Sequence, residues 1–265
     1  MHLAQINIYP IKSTRQIRLD SAKVEARGLQ WDRRWMLIDQ DGKFITARQQ
    51  PRLATVDTQI SGDSLLISAD GQAQITLPLI SAQDSTTRVQ IWRDQCDAAA
   101  TSEQANEWFT RYLGIDCRLV HQPAQSHRGV NLEYGDATDE VSFADGFPLL
   151  LISQASLTDL NRKLSSNVPM RRFRPNVVID DCDAFAEDDW NRLRIGDIEF
   201  RAVKRCSRCI FTTIDPLTGI KDADGEPLRT LSQYRRGKGG VFFGQNLIPA
   251  GSGTLQIGDS IKILA

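Results

Sequence analysis

Residues 192–214 read RLRIGDIEFRAVKRCSRCIFTTI. Up to Arg205 apolar and polar side chains alternate, the pattern of strands with one buried face. From Cys209 to Ile214 the residues are mostly apolar, β-branched or aromatic, so this stretch reads as another strand. Asp215-Pro216 then opens a turn that closes at Gly219. Working outward, GVFFGQN and TLQIGDSIKIL are strands downstream, and FPLLLIS and NVVID are strands upstream. QINIYPI, LATVDTQI, SLLISA and AQITLPL add strands nearer the N-terminus. RWMLIDQDGKFITAR reads as a hairpin about Asp41-Gly42.

Helical signals are few. SEQANEWFTRYLG has Ser102 as a cap, Ala105, Trp108, Phe109 and Tyr112 on one face, and Gly114 as a stop. ASLTDLNRKL carries Ser156 and Asp159 at capping-box spacing, and LRTLSQYRR is a short third candidate. The predicted fold is mainly β with a few helices (α+β), built from barrels or sandwiches with helices as lids. HQPAQSHRGVNLEYGDATDE is polar and reads as a long loop or interdomain crossing. It puts a domain division between 1–122 and 123–265.

Hydrophobic residues make up 41% of the 265, enough for large buried cores, and no apolar run approaches the roughly 20 residues of a membrane helix. The formal net charge of −1 gives no global field for nucleic acid or a membrane surface. The N-terminus lacks the apolar centre of a signal peptide, so the expected location is the cytoplasm. Five cysteines do not suggest a disulfide framework, and the three histidines form no ligand cluster.

Positive charge is nevertheless clumped. The clumps are Lys12, Arg15 and Arg18; Arg33 and Arg34; Arg171, Arg172 and Arg174; and Arg201, Lys204, Arg205 and Arg208. Lys12 and Ser13 follow directly on a strand, where an ammonium and a hydroxyl suit a phosphate. Arg174 precedes Pro175 and a buried-looking strand, so it projects from a strand end. Clumps that converge would make an anion pocket; clumps that do not are solvated surface.

Cys206-Ser207-Arg208-Cys209 admits several readings. One is half of a zinc site, for which no second cysteine pair exists in the chain. A dithiol redox pair is another, although such pairs usually open a helix. A third is a single metal thiolate, favoured by four neighbouring cations that stabilise ionised sulfur. An inert buried cysteine suits Cys206 better than Cys209.

YPIKS, WDRRWMLID with ITARQQPRL, FRPNVVI, CSRCIFTTIDPLTG and FFGQN, in that order, resemble the MOSC-domain proteins. Within them the pattern is most similar to the molybdenum enzymes that reduce amidoximes and other N-hydroxylated compounds. The resemblance runs from about Ile6 to the C-terminus. It implies an N-terminal β-barrel domain packed against a MOSC β-barrel domain, with a molybdenum–pterin cofactor in the cleft between them.

It further implies that Lys12, Ser13 and Arg33 hold the cofactor's phosphate and pterin, and that Arg174 and Asn176 continue the pocket. Ser207 and Arg208 would donate to the cofactor, and Cys209 would ligate molybdenum as a catalytic residue. Asp145-Gly146-Phe147 stands where relatives usually show Asp-Thr-Ser, so Asp145 keeps a candidate proton-donor role while Gly146 and Phe147 offer only backbone and ring. Asn246 stands where relatives often carry an aromatic residue. The implied reaction turns N–OH into N–H plus water.

The chain has no Cys-x4-Cys-x2-Cys run, so no iron–sulfur cluster is expected in it. Either an external iron–sulfur or flavin reductase supplies electrons or the chain is a fragment. The alternative reading is a non-catalytic module that binds or carries the cofactor or its sulfur.

Overall fold

The structure, a computed structural model, describes residues 1–80 and 86–265. Its largest sheet has nine strands. From one edge the order is Ile261–Ile263, Arg192–Ile195, Ile198–Arg208, Gly240–Pro249, Leu149–Ser153, Val177–Asp180, His2–Ile8 and Ile17–Leu19, with Arg236–Gly237 also paired to Gly240–Pro249. Pairing is antiparallel except between Leu149–Ser153 and Val177–Asp180, which the helix Gln154–Asn161 connects as a crossover. The sheet curls until His2 bridges Ser260 beyond its far edge, giving a barrel-like wall.

The chain's first strand therefore lies in the sheet of its C-terminal half. Ile6 faces Val177 and Leu3 faces Ile179 across an antiparallel ladder. A three-stranded sheet, Gly253–Gln256 with Ser21–Glu25 and Gly28–Leu29, ties the two ends of the chain together again. The division expected at residue 122 thus does not coincide with a sheet boundary: long-range pairing draws the first 29 residues across it. The remaining sheets are Trp35–Ile38, Arg118–His121, Asp94–Ala100 and Thr86–Ile91, and Asp57–Ser61, Ser64–Ala69 and Gln72–Pro78.

The helix Glu103–Leu113 forms as its sequence predicts. Ser102 Oγ accepts from Ala105 N, and Gly114 closes it in left-handed geometry at φ 71. Its buried face, Ala105, Trp108, Phe109 and Tyr112, packs into a core with Trp35, Leu65 and Leu77. Trp108 Nε1 donates to Ala73 O at 2.6 Å, so the indole is buried without an unpaired donor. Among the described residues no helix is long and apolar enough to cross a membrane.

Three sequence expectations shift. The second helix starts at Gln154, capped by Ser153 and not by Ser156, because Ser156 Oγ is committed to buried Glu187 and to Phe185 N. The Asp41-Gly42 turn forms, but Trp35–Ile38 takes Arg118–His121 as its partner, and Phe44 returns only a single bridge to Ile38. CIFTTI is not a strand: Ile210–Thr213 is a turn of 3-10 helix. Thr212 and Thr213 hydroxyls bond back to the carbonyls of Cys209 and Ile210 at 3.0 and 2.8 Å, closing a turn that β-propensity does not foresee.

The longest strand, Ile198–Arg208, positions the site. Its register against Gly240–Pro249 slips twice, between Ala202 and Lys204 and between Arg205 and Ser207. A regular strand sends alternate side chains to opposite faces, whereas bulges re-aim them. The six consecutive residues Lys204 to Cys209 consequently all border one cleft. Gly244 on the partner strand lies opposite the second slip and lets that strand pass close to Leu149–Ser153. At φ +85, a Cβ there would sit 2.7 Å from Leu151 O and 2.6 Å from Ile152 Cγ1.

Gly244→Ala is expected to destabilise the protein by about 2 kcal/mol or more, since both backbone and neighbours resist it. Urea unfolding should show a lower midpoint at unchanged slope; a wild-type midpoint would contradict this account of the bulged strand.

Candidate functional site

A cleft of about 280 Å³ opens at the end of the bulged strand, and all twelve residues singled out by the sequence border it. Lys12 and Ser13 come from the segment after the first strand, and Arg33 from the turn before Trp35. Asp145, Gly146 and Phe147 come from the loop before Leu149, and Arg174 and Asn176 from the loop before Val177. Ser207, Arg208 and Cys209 end the bulged strand, and Asn246 lies on its neighbour.

The lining holds eight cations, Lys12, Arg33, Arg48, Arg172, Arg174, Lys204, Arg205 and Arg208, against one acid, Asp145. The clumps therefore converge in part. Arg15 pairs with Asp57, Arg201 with Asp136 and Asp139, and Arg34 donates to Gln122 O, all outside the cleft lining. Arg18 is exposed and, like Arg171, does not border the cleft.

Carbonyls hold most of these cations in place. Lys12, 5% exposed, donates to Phe143 O at 2.7 Å and to Asp145 Oδ1 at 2.6 Å. Burial pushes Lys12 down to about 8, although Asp145 opposes the shift. Arg33 Nη1 reaches Asp32 Oδ2 at 2.6 Å and Asn176 Oδ1 at 3.0 Å, while Nη2 donates to Arg174 O. Arg174 donates to Thr14 O, and Arg208 to Phe173 O. Burial, then the nearby Arg33 charge, pushes Arg174 down to about 10, so it remains charged at neutral pH.

Both guanidiniums of Arg33 and Arg174 lie against the Tyr9 ring, at 4.2 and 4.1 Å from its centre, a cation–π arrangement that spaces two like charges. Burial pushes the Tyr9 hydroxyl up to about 12, so it stays a neutral donor to Pro175 O.

Ser13, Arg33 and Arg174 all adopt left-handed backbone, at φ 75, 49 and 58. Each costs about 1 kcal/mol or more, a strain typical of binding sites whose surroundings over-determine it. Here the main chain is clamped: Arg33 N donates to Tyr9 O, and Phe143 N donates to Arg33 O, both at 2.9 Å.

Asp145 does not suit proton donation. Burial would raise its pKa, but Lys12 and Arg48 outweigh burial and hold the carboxyl far below the usual range, so it is ionised at neutral pH. Its side chain keeps 59% of its surface open to the cleft. The loop carrying it is fixed from behind by Arg128. This side chain is 1% exposed and donates to the carbonyls of Ser142, Ala144 and Asp145 and to Asp94. The polar stretch read as a loose crossing is thus anchored by one buried arginine.

Asn176 spends its amide on Arg33, Leu150 N and Asn7 O, and so positions the pocket instead of facing a ligand freely. Asn246 Nδ2 is taken by Lys204 O. Cys209 is exposed and precedes the 3-10 turn, while Cys206 is half-buried and accepts from Arg208 Nη1 at 2.9 Å. Among the described residues no three His, Cys, Asp or Glu side chains could share a metal ion, so the zinc reading has no ligand set.

Sequence reasoning missed Arg48, Tyr9 and Arg128. Arg48 lies in ITARQQPRL, outside the four clumps, with only Arg52 near it; Tyr9 and Arg128 act through other residues. An anionic pterin that carries a sulfur-ligated metal fits the residues present: Arg174, Lys204 and Arg208 lack any carboxylate partner among the described residues, and the one exposed thiol is beside them.

A family model described as the MOSC N-terminal beta barrel domain matches residues 1–116, and one described as the MOSC domain matches residues 138–262. The chain is 36% identical to human mitochondrial amidoxime-reducing component 1, over 99% of this chain and 82% of that protein. It is also 36% identical to human mitochondrial amidoxime reducing component 2, over 88% and 72%. The crystal structure of YiiM from Geobacillus stearothermophilus aligns with 45% of this chain and 55% of its own, at 11% identity and a TM-score of 0.33. The expected cytoplasmic location is not supported, because these relatives are mitochondrial components. The lack of an apolar leader, on which that expectation rested, does not specify a compartment.

The Lys12 shift makes a signed prediction. Lys12 is charged below about 8 and neutral above it. Affinity of the metal-free protein for sulfate, whose charge is constant in this range, should fall as pH rises from 7 to 9. Stability should move the opposite way. The unfolded chain keeps its proton up to the ordinary lysine value, so folding gains from deprotonation between about 8 and that value. Lys12→Gln should flatten both profiles; pH-independent sulfate binding in the unsubstituted protein would contradict the assignment.

Proposed function

The chain belongs to the MOSC family, in the two-domain group of amidoxime-reducing components, and from that membership we propose that it is a molybdenum-cofactor-dependent reductase of N-hydroxylated compounds. The observation that carries this reading is one exposed thiol, Cys209, in a cleft lined by eight cations and a single carboxylate. A large polyanion whose metal takes a thiolate ligand meets both features at once.

In this reading Cys209 is the protein's ligand to molybdenum, since a soft thiolate suits the metal and this thiol is exposed at the cleft. Lys12, Ser13, Arg33 and Arg174 hold the phosphate and pterin, with charge-assisted bonds stronger than neutral ones. Ser207 and Arg208 donate close to the thiolate. Asn176 keeps Arg33 aimed, and Gly146, Phe147 and Asn246 shape the walls. When bound, the molybdenum–pterin group supplies the two-electron redox chemistry; the protein contributes orientation and electrostatics.

Reduction of N–OH to N–H plus water consumes two electrons and two protons. Electrons come from a separate reductase, of the iron–sulfur or flavin kind. Asp145 stays ionised throughout; its task is to fix Lys12 Nζ and to face Arg48. Lys12 Nζ holds a proton at neutral pH and is the acidic group of this pair.

Protein prepared with cofactor supply should contain about one molybdenum per chain and turn over an amidoxime with a chemical reductant. Cys209→Ser should abolish turnover and alter the metal's spectrum, whereas Cys206→Ser should keep a molybdenum spectrum of the original kind. Unchanged metal spectroscopy in Cys209→Ser would overturn the ligand assignment, and bound cofactor without any turnover would favour a carrier.

A further inference from the structure

Arg48 differs from most cations of the cleft in what holds it. Lys12, Arg33, Arg174 and Arg208 each donate to a backbone carbonyl. Arg48 instead rests on aromatic rings, with its guanidinium carbon 4.5 Å from the Trp92 ring centre and 5.9 Å from that of Phe44. Its Nη1 is 3.9 Å from Asp145 Oδ2 and 3.9 Å from Cys209 Sγ. It is the cation that spans the thiol and the carboxylate, yet it is bound tightly to neither.

The shelf beneath it is unusual in its own right. Trp92 forms the turn between Thr86–Ile91 and Asp94–Ala100, in left-handed backbone at φ 57, and is 49% exposed. Phe44 braces it edge-on at 5.1 Å. A large aromatic left half in water on strained backbone costs stability that packing does not recover, and such features gather at ligand-binding positions. An arginine laid on an indole is preordered, and its planar fork keeps several donors free.

We propose that Arg48, backed by Trp92, forms the substrate-facing edge of the cleft, and that it makes the protein select anionic N-hydroxylated compounds over cationic ones. The inference rests on the reductase reading and adds the charge preference within that substrate class. A carboxylate beside the N–OH group gains a charge-assisted bond from Arg48, and a fixed cation there is repelled. Trp92 holds the Arg48 guanidinium in place from outside the cleft lining, and Asp145 balances Arg48 only partly because it is already engaged by Lys12 at 2.6 Å.

The test uses three aryl amidoximes of similar size, one neutral, one bearing a carboxylate and one bearing a trimethylammonium group, with cofactor-loaded full-length protein. In Arg48→Gln the ratio of kcat/KM for the carboxylate to that for the ammonium compound should fall about tenfold or more, chiefly through KM. Arg48→Lys should restore part of the ratio, because the charge returns without the planar fork. A ratio unchanged within about twofold would overturn the proposal and leave Arg48 as a structural or cofactor-holding residue.

Should the unsubstituted protein reduce none of the three compounds, the reductase reading fails, and binding still decides the inference. The carboxylated compound should quench fluorescence that Trp92→Phe lacks, with a Kd weakened about tenfold in Arg48→Gln. Equal affinity in both proteins would defeat it.

Discussion

Mutual repulsion among eight cations in one cleft is the constraint around which the site is built. Two like charges 4 Å apart repel by about 4 kcal/mol at an effective dielectric constant of 20. A chain could relieve this with paired carboxylates, but then no attraction would remain for an anion. This chain gives five of the eight a carboxylate partner and leaves Arg174, Lys204 and Arg208 without one among the described residues, adding backbone carbonyls and ring faces. Phe143, Arg174, Thr14 and Phe173 lend carbonyl oxygens, and Tyr9 lends its ring to two guanidiniums. For Arg174 and Arg208 the carbonyl acceptors fix position without cancelling charge, so their field remains available to a ligand.

Those carbonyls come from distant parts of the chain, which explains the interleaved topology. The first strand must lie beside Val177–Asp180 for Asn7 and Asn176 to meet, and through Asn176 to aim Arg33. The left-handed residues at 13, 33 and 174 turn their side chains into the cleft where an ordinary extended backbone would not. Strain, sheet order and charge placement are therefore one design, and a change in any of them moves the others.

Much of the strand content was legible because it rests on local alternation, as in Arg192–Ile195 and Ile198–Arg208. The helix at Glu103–Leu113 was legible for the same reason, with cap, face and stop all written locally. What escaped was decided by partners far along the chain. Ser156 lost its capping role to Glu187, and the FITA arm, bridged at Phe44 to Ile38 and at Lys43 to Gln90, shares its bonds between two partners and forms no continuous strand. The Thr212 and Thr213 back-bonds turned a β-rich string into a 3-10 turn.

The site divides along the same line. Residues in charge clumps or beside Cys209 could be picked out and do gather in one cleft, but composition gave no way to separate Arg174 from Arg171 or Lys204 from Arg201. That separation comes from bulges and left-handed turns, which a string of residue types does not display. Arg48 marks the limit of such reading: an arginine outside the charge clumps acquires meaning only when Trp92, some forty residues on, supplies the surface it rests on. Its position in front of the thiol follows from packing between two hairpins. A cleft that leaves Arg174, Lys204 and Arg208 without carboxylate partners among the described residues can keep its attraction for the cofactor, while Arg48 at its edge, resting on Trp92, is free to vary what is admitted beside it.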